Sequence, residues 1–174
     1  MFEHDGSIGI AAFALGQLLQ KDSSVEAGVR AVLHVATLRR QTWWQAWSYL
    51  QLTNIYEPFE PDALEDAHRL MQRAFPDAAR RNDILENAFA HYKSTRSIDA
   101  NPGTYMLADI GDLESDLPIY EAALRKKINI ERFQQRDIRR SILNRVKNQV
   151  QIYLMAVESG ATIPMLGGDD PVTD

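Results

Sequence analysis

The spacing of hydrophobic residues predicts helices along nearly the whole chain. Apolar residues recur at three- and four-residue intervals, and no segment alternates strictly between apolar and polar positions. This pattern is typical of amphipathic helices that pack one face on a shared core. We therefore expect an all-α fold, a single helical bundle domain of about six to seven helices over residues 1–158, with a flexible tail over residues 159–174.

Capping and turn residues indicate where the first helices begin and end. The apolar stretch from Ile8 to Gln20 predicts the first helix, and Ser23 with Glu26 has the spacing of a capping box that opens the second. Asn54 tolerates the left-handed conformation and is expected to end the third. The first helix is expected to bury four large apolar side chains: Phe13, Leu15, Leu18 and Leu19.

A long basic helix is expected to close the bundle. Pro118 is well suited to the first turn of a helix, so we expect this helix to run from Ile119 to about Glu158, with a bend near Asn129. Its apolar residues advance by steps of four and three, which predicts one stripe facing the core and basic residues on the other sides. The stripe consists of Ile138, Ile142, Val146, Val150, Tyr153 and Val157.

Charge is distributed unevenly along the chain. The net charge is -5, yet the segment from Arg125 to Lys147 holds nine Lys or Arg against Glu131 and Asp137, a local charge of +7. The rest of the 174 residues holds ten basic and 22 acidic side chains, a charge of -12. A basic element on an acidic body either binds an anionic partner or folds against the body's own acidic groups.

The basic residues of this helix are the candidate binding site. Four arginines advance by four, three and one positions and form a narrow ridge that two further cations extend. The ridge could follow the phosphates of a nucleic acid. Because the whole protein is acidic, we favour contact with a protein or with the chain's own acidic groups. The ridge comprises Arg132, Arg136, Arg139, Arg140, Arg145 and Lys147.

No catalytic or metal-binding pattern stands out. The chain has no cysteine, which excludes disulfides, thiol nucleophiles and thiolate zinc sites, and its four histidines include no pair at the spacing of a helical metal site. It also lacks a phosphate loop and a nucleophile elbow. The acidic clusters lie near predicted helix starts, where negative side chains offset the helix dipole. We therefore predict no catalytic residues, no metal and no cofactor, and the remaining alternative is an enzyme whose acidic or histidine residues meet only in the fold.

Three tryptophans form the densest aromatic group. Trp43 and Trp47 share one helix face, whereas Trp44 points elsewhere. Core packing is the favoured interpretation for all three. An exposed Trp44 would instead be an interface aromatic, since tryptophan is enriched where proteins meet.

Residues 22–56 resemble the AbiTii domain, a helical domain linked to bacterial abortive infection. The run from Val29 to Leu33 is similar to the family's Leu-Arg-Lys-Ala-Leu pattern, and Trp47, Gln51 and Asn54 stand at the spacing of a later Trp, Glu and Gly. Gln51 departs from the family's acid and Asn54 from its glycine, and Tyr56 lies one residue late.

The segment from Ile142 to Val146 is similar to the family's terminal helix, so the resemblance covers about a third of the chain. It implies a sensing or assembly module in antiphage defence and brings no catalytic residues with it.

Together these features predict a non-enzymatic helical interaction or assembly module, working with a protein partner or as a homo-oligomer. A nucleic-acid-binding accessory subunit that uses the basic ridge is the alternative. The longest apolar run, Ile8 to Leu19, is shorter than the about 20 residues of a membrane span, and the first residues lack the positive region of a signal peptide. We expect no membrane partner and a cytoplasmic location.

Overall fold

The computed structural model describes residues 2–55, 62–79, 83–98, 103–124 and 130–161, without the side chains of residues 2–5, 79, 123–124 and 130–133. These ranges form one all-α arrangement, which confirms the expected fold class. Of the expected tail over residues 159–174, residues 162–174 lie outside them, as does the expected bend near Asn129. The helices are α1 (Phe2–Leu18), α2 (Val25–Leu38), α3 (Thr42–Leu52), α4 (Ala63–Ala74), α5 (Pro76–Ala79), α6 (Asp83–Arg96), α7 (Ile110–Leu124) and α8 (Ile130–Ser159).

The described ranges hold eight helices, more than the six to seven that we expected, and the short α5 is one that the sequence pattern did not predict. No strand occurs within these ranges, where a single β-bridge joins Ser97 to Tyr105. No helix described here is both long and apolar enough to cross a bilayer.

The apolar stripe of α8 lies at the centre of the core. Five of its six predicted members are buried, and Ile138 is half-buried against the same cluster. α8 packs against α1, α2 and α7, while α3 lies between α2 and α6. The three- and four-residue spacing therefore predicted the buried side of α8 correctly.

α1 buries less than the sequence suggested. Leu15 and Leu18 are buried as expected, but Phe13 is 72% exposed and Leu19 is 65% exposed. α1 is covered by α2 and α8 on one side, and Phe13 stands on the opposite side. Leu19 follows the last helical residue and lies in a turn. The prediction that these two side chains enter the core was wrong.

The start of α2 differs from the expected capping box. Ser24, not Ser23, is the N-cap, and its hydroxyl accepts a hydrogen bond from the Ala27 amide at 3.1 Å. The Glu26 carboxylate does not reach back to the cap as a capping box requires, because it pairs with Arg30 at 2.8 Å.

Two other expected boundaries were also wrong. α3 ends through Thr53 in an extended conformation, and the described non-glycine residue with positive φ is Arg40, in the turn before α3, rather than Asn54. Pro118 lies inside α7 instead of opening a new helix. It sits on an exposed part of α7, so its ring does not disturb the core.

Candidate functional site

Two arginines of the basic ridge, the exposed Arg140 and the half-buried Arg136, are paired with acidic side chains of the protein. Arg140 donates to Glu121 of α7 through Nη2 at 2.6 Å and through Nε at 3.1 Å. Arg136 pairs with its neighbour Asp137 at 3.1 Å. Both guanidinium groups therefore already have an acidic partner within the chain, with which an external phosphate would compete.

Arg139 lies in the contact between α7 and α8. It is 7% exposed, and its Nη1 donates to Gln135 Oε1 at 2.7 Å. Its guanidinium stands 4.3 Å from the ring centroid of Tyr120, and Nη2 is 3.8 Å from Asp116 Oδ2. A cation stacked on an aromatic ring and shielded from water is a packing element, so Arg139 contributes to the helix contact.

The last two cations of the ridge each contact a polar group outside α8, and Arg145 also contacts one within it. Arg145 donates through Nη1 to the Ser97 carbonyl at 2.8 Å and through Nη2 to Ser141 Oγ at 2.9 Å. Lys147 Nζ lies 3.4 Å from Ser23 Oγ. The side chain of Arg132 is outside the described residues. Every described ridge cation thus contacts the protein itself, which fits the self-pairing interpretation.

Trp44 is not an interface aromatic. It is 1% exposed, and its ring centroid lies 4.7 Å from that of Tyr153 on α8 and 5.6 Å from that of Trp47. Trp43 and Trp47 are also buried. All three fit in the core because α3 is covered by neighbouring helices on several sides. Core packing, the favoured interpretation, is therefore confirmed, and the interface role considered for Trp44 was wrong.

The acidic residues near the start of α7 act as helix caps. The Asp109 carboxylate accepts from the Asp112 amide at 2.9 Å and caps α7 itself. Glu114 reaches across to α2, where it accepts from the Glu26 amide and from the Ser24 hydroxyl. These contacts agree with the interpretation that acidic residues stabilise helix N-termini.

Two of these carboxyl groups have raised pKa values, chiefly because they are partly buried. Burial raises the pKa of Glu114, and burial together with the nearby Asp109 raises the pKa of Asp112. Gly111 leaves room for the Glu26 carboxylate, because a Cβ at position 111 would stand 2.8 Å from Glu26 Oε2. Among the described residues, no group of three acidic or histidine side chains is arranged to hold a metal ion.

Arg96 is a buried cation that the sequence did not reveal. Its Nε donates to Gln51 Oε1 at 3.0 Å and its Nη2 to the Gln51 carbonyl at 3.3 Å. Its Nη1 donates to the Met106 and Ala108 carbonyls. Burial lowers the pKa of Arg96. Its partners on α3 and on the segment before α7 are far away in sequence, so no local pattern could indicate them.

A shallow groove between α4 and α6 is lined in part by titratable groups. Its volume is about 350 Å³, and its sides are Leu64, Glu65, His68, Arg69, Phe89 and Lys93. His68 binds the carboxylate of Glu86, which fixes the imidazole as in many acid–base sites. The lining includes no hydroxyl nucleophile beside His68, so the groove can hold an apolar group between cations but presents no catalytic pair for acyl transfer.

The side of α1 that faces away from α2 and α8 is uncovered, and beside three glycines it holds Phe13 and the uncharged polar residue Gln17. Gly6, Gly9, Phe13 and Gly16 share this side, which we call the α1 outer face, and all four are exposed. A Cβ added at any of these glycines would meet no atom within 4 Å. No residue from Gly6 to Gln20 carries a charge.

The composition of the α1 outer face has no explanation in the fold itself. Each glycine inside a helix costs about 0.5–1 kcal/mol relative to alanine, and here no neighbouring backbone requires the missing side chain. A helix side with a large apolar side chain normally packs on another element. The sequence places Phe13 on the same helix side as these glycines, which indicates a side without large neighbours. The expectation that Phe13 enters the core was at odds with this spacing.

No protein-family model, no curated protein and no solved structure matches the chain. The resemblance of residues 22–56 to the AbiTii domain therefore stays a prediction.

Proposed function

We propose that the protein is a non-enzymatic helical interaction module that docks another protein through the α1 outer face. The observation that carries this proposal is Phe13, 72% exposed and flanked by glycines, on the side of α1 opposite its buried side. Large apolar side chains that the fold leaves uncovered mark interaction surfaces, and aromatic residues contribute most of the energy at such surfaces.

The basic ridge supports this choice over the alternative of a nucleic-acid-binding subunit. Arg139 and Arg145 would have to leave their partners on α7, α8 and at the end of α6 before reaching a phosphate. Giving up such contacts subtracts from the electrostatic gain of binding. We extend the proposal to a cytoplasmic antiphage defence complex on the strength of the AbiTii resemblance alone.

Site-specific photo-crosslinking in cells tests the docking proposal. A photoreactive benzoylphenylalanine is placed at position 13 in one variant and at position 119 in a matched control, because Ile119 on α7 is 65% exposed. We expect protein adducts at position 13 and few at position 119. Equal or fewer adducts at position 13 would contradict docking through the α1 outer face.

A further inference from the structure

We infer that the occupant of the α1 outer face is a second copy of this chain, which pairs its own α1 antiparallel across a two-fold axis. This inference rests on the proposed function, since it requires that the α1 outer face binds a protein. Three properties of α1 select a second copy: the lack of charge from Gly6 onward, the spacing of its glycines, and the position of Phe13 between them.

The first property is the absence of charge from Gly6 to Gln20. Two identical chains bring identical charges to a shared surface, and each chain carries a net charge of -5, so most self-contacts would bring like charges together. A quarter of the residues are charged, so an uncharged run of this length is a surface where two copies meet without such repulsion.

The second property is the spacing of Gly9 and Gly16. Seven residues are nearly two helical turns, so both glycines lie on one line along the α1 outer face. Small residues on such a line allow two helix backbones to approach to about 8 Å, the short end of the range for packed helices. In an antiparallel pair, Gly9 of one copy lies opposite Gly16 of the other, and Gly16 lies opposite Gly9, as a two-fold contact requires.

The third property is the position of Phe13 within this register. The midpoint between positions 9 and 16 falls between positions 12 and 13, so Phe13 lies within one helical rise, about 1.5 Å, of the two-fold axis. The two Phe13 rings therefore meet beside the axis, where each covers backbone that the glycines of the other copy leave bare. Aromatic pairs at the centre of a contact are favourable.

The size of the contact indicates a reversible dimer. A helix of 17 residues is about 25 Å long, and one helix face buries less than the about 800 Å² per partner of a standard interface. We therefore expect monomer and dimer to exchange with protein concentration.

Sedimentation equilibrium of the purified full chain tests the inference, over about 5 µM to about 500 µM. We expect the wild type and the control Ile119→Glu to approach the dimer mass, while Phe13→Glu associates at least about tenfold more weakly because it buries a charge. Circular dichroism checks that each variant is folded. A wild type that stays monomeric at the highest concentration, or equal weakening by Ile119→Glu, overturns the inference.

Disulfide trapping tests the antiparallel register. The chain has no cysteine, so each introduced thiol is unique. Under mild oxidation, a mixture of Gly9→Cys and Gly16→Cys proteins should form mainly the disulfide between positions 9 and 16 of two copies, and Phe13→Cys should link to itself. Mainly 9-to-9 and 16-to-16 products would indicate a parallel pair and overturn the register.

The two experiments separate the inference from the proposed function. If position 13 yields photo-adducts with a different protein while the purified chain is monomeric, the second-copy inference fails and the docking proposal stands. If position 13 yields no adducts and the chain is monomeric, both fail.

Discussion

The α1 outer face and the basic ridge of α8 use opposite chemistries and end in opposite situations. The ridge carries the highest density of positive charge, and each described cation on it contacts a carboxylate, a carbonyl or a hydroxyl of the same chain. The α1 outer face carries no charge, and Phe13 on it is the most exposed large apolar side chain described. The basic ridge, which is obvious in the sequence, has its described cations paired within the fold. The α1 outer face, which is harder to see in the sequence, stays uncovered.

The reason lies in what each side chain needs. A guanidinium has five N–H donors and can be satisfied by any nearby oxygen, so a folded chain with many acidic and carbonyl groups readily occupies it. A phenyl ring on a convex helix side gains nothing until another surface excludes water from it. A cluster of charged residues in a sequence is therefore a weaker sign of a free binding surface than a large apolar side chain that the core does not bury.

We expect the largest effect on stability from Arg96, a fully buried cation. Arg96→Met leaves the Gln51, Met106 and Ala108 carbonyls without a donor, so we expect the free energy of unfolding to fall by about 3–5 kcal/mol. Urea unfolding measures it. The control Arg73→Met, at an exposed position of α4, should stay within about 0.5 kcal/mol of wild type, and similar losses in both would contradict a structural role specific to Arg96.

The glycines of the α1 outer face should show the reverse sign. Gly9→Ala and Gly16→Ala should each stabilise the monomer by about 0.5–1 kcal/mol, because the new methyl group meets nothing and helix propensity rises. Thermal unfolding at low protein concentration measures the gain. Gly28→Ala is the contrasting control, since its Cβ would lie 3.0 Å from Val150 Cγ1 and should give no gain. Destabilisation at positions 9 and 16 would show that these glycines serve the fold after all.

The exposed part of the ridge should give a smaller effect. Arg140→Gln removes the pair with Glu121 and should lower the free energy of unfolding by about 0.2–1 kcal/mol, as for other surface pairs. The second readout is fluorescence anisotropy with a DNA duplex, which we expect to be the same for wild type and variant. Unchanged stability together with weaker DNA binding would reverse the comparison and return the ridge to the role of a partner site.

The smallest expected effect is a change in pH dependence at Glu114. Folding raises its pKa above the ordinary value of 4.5, so the folded state binds this proton more tightly than the unfolded state. The free energy of unfolding should therefore fall as pH rises from about 4.5 through the raised pKa. Glu114→Gln should flatten this slope in urea titrations across that range, and Asp112→Asn should flatten it in the same direction. A steeper slope in Glu114→Gln would mean that the carboxylate, not the acid, is the favoured form.

The helices and the buried side of α8 could be predicted from sequence because they depend on local spacing. Helix boundaries were harder, since Pro118 can sit on an exposed side of α7 and Ser24 competes with Ser23 as the cap. Phe13 was misplaced because α1 is apolar on several sides and its periodicity does not indicate which side is covered.

The contacts of the candidate site residues were harder to predict than the helices, because they join parts of the chain that are distant in sequence. Arg139 contacts α7 and Arg145 contacts the Ser97 carbonyl after α6, so the sequence of α8 alone could not show whether these cations had partners. The pairing of His68 with Glu86 joins α4 to α6 and has no spacing that sequence reasoning can recognise. The sequence does show that α1 has more apolar residues than one buried side requires. Which side of α1 is exposed depends on where α2 and α8 pack, and the sequence does not show that.

The cap that Glu114 supplies to α2 has a consequence for cooperativity. Amides in the first turn of a helix usually exchange with solvent readily because they have no helical partner. The Glu26 amide instead bonds to a side chain 88 residues later, on α7. Its hydrogen exchange therefore reports whether α7 is docked on α2, and protection well above that of the other first-turn amides would show that the two helices come apart only together.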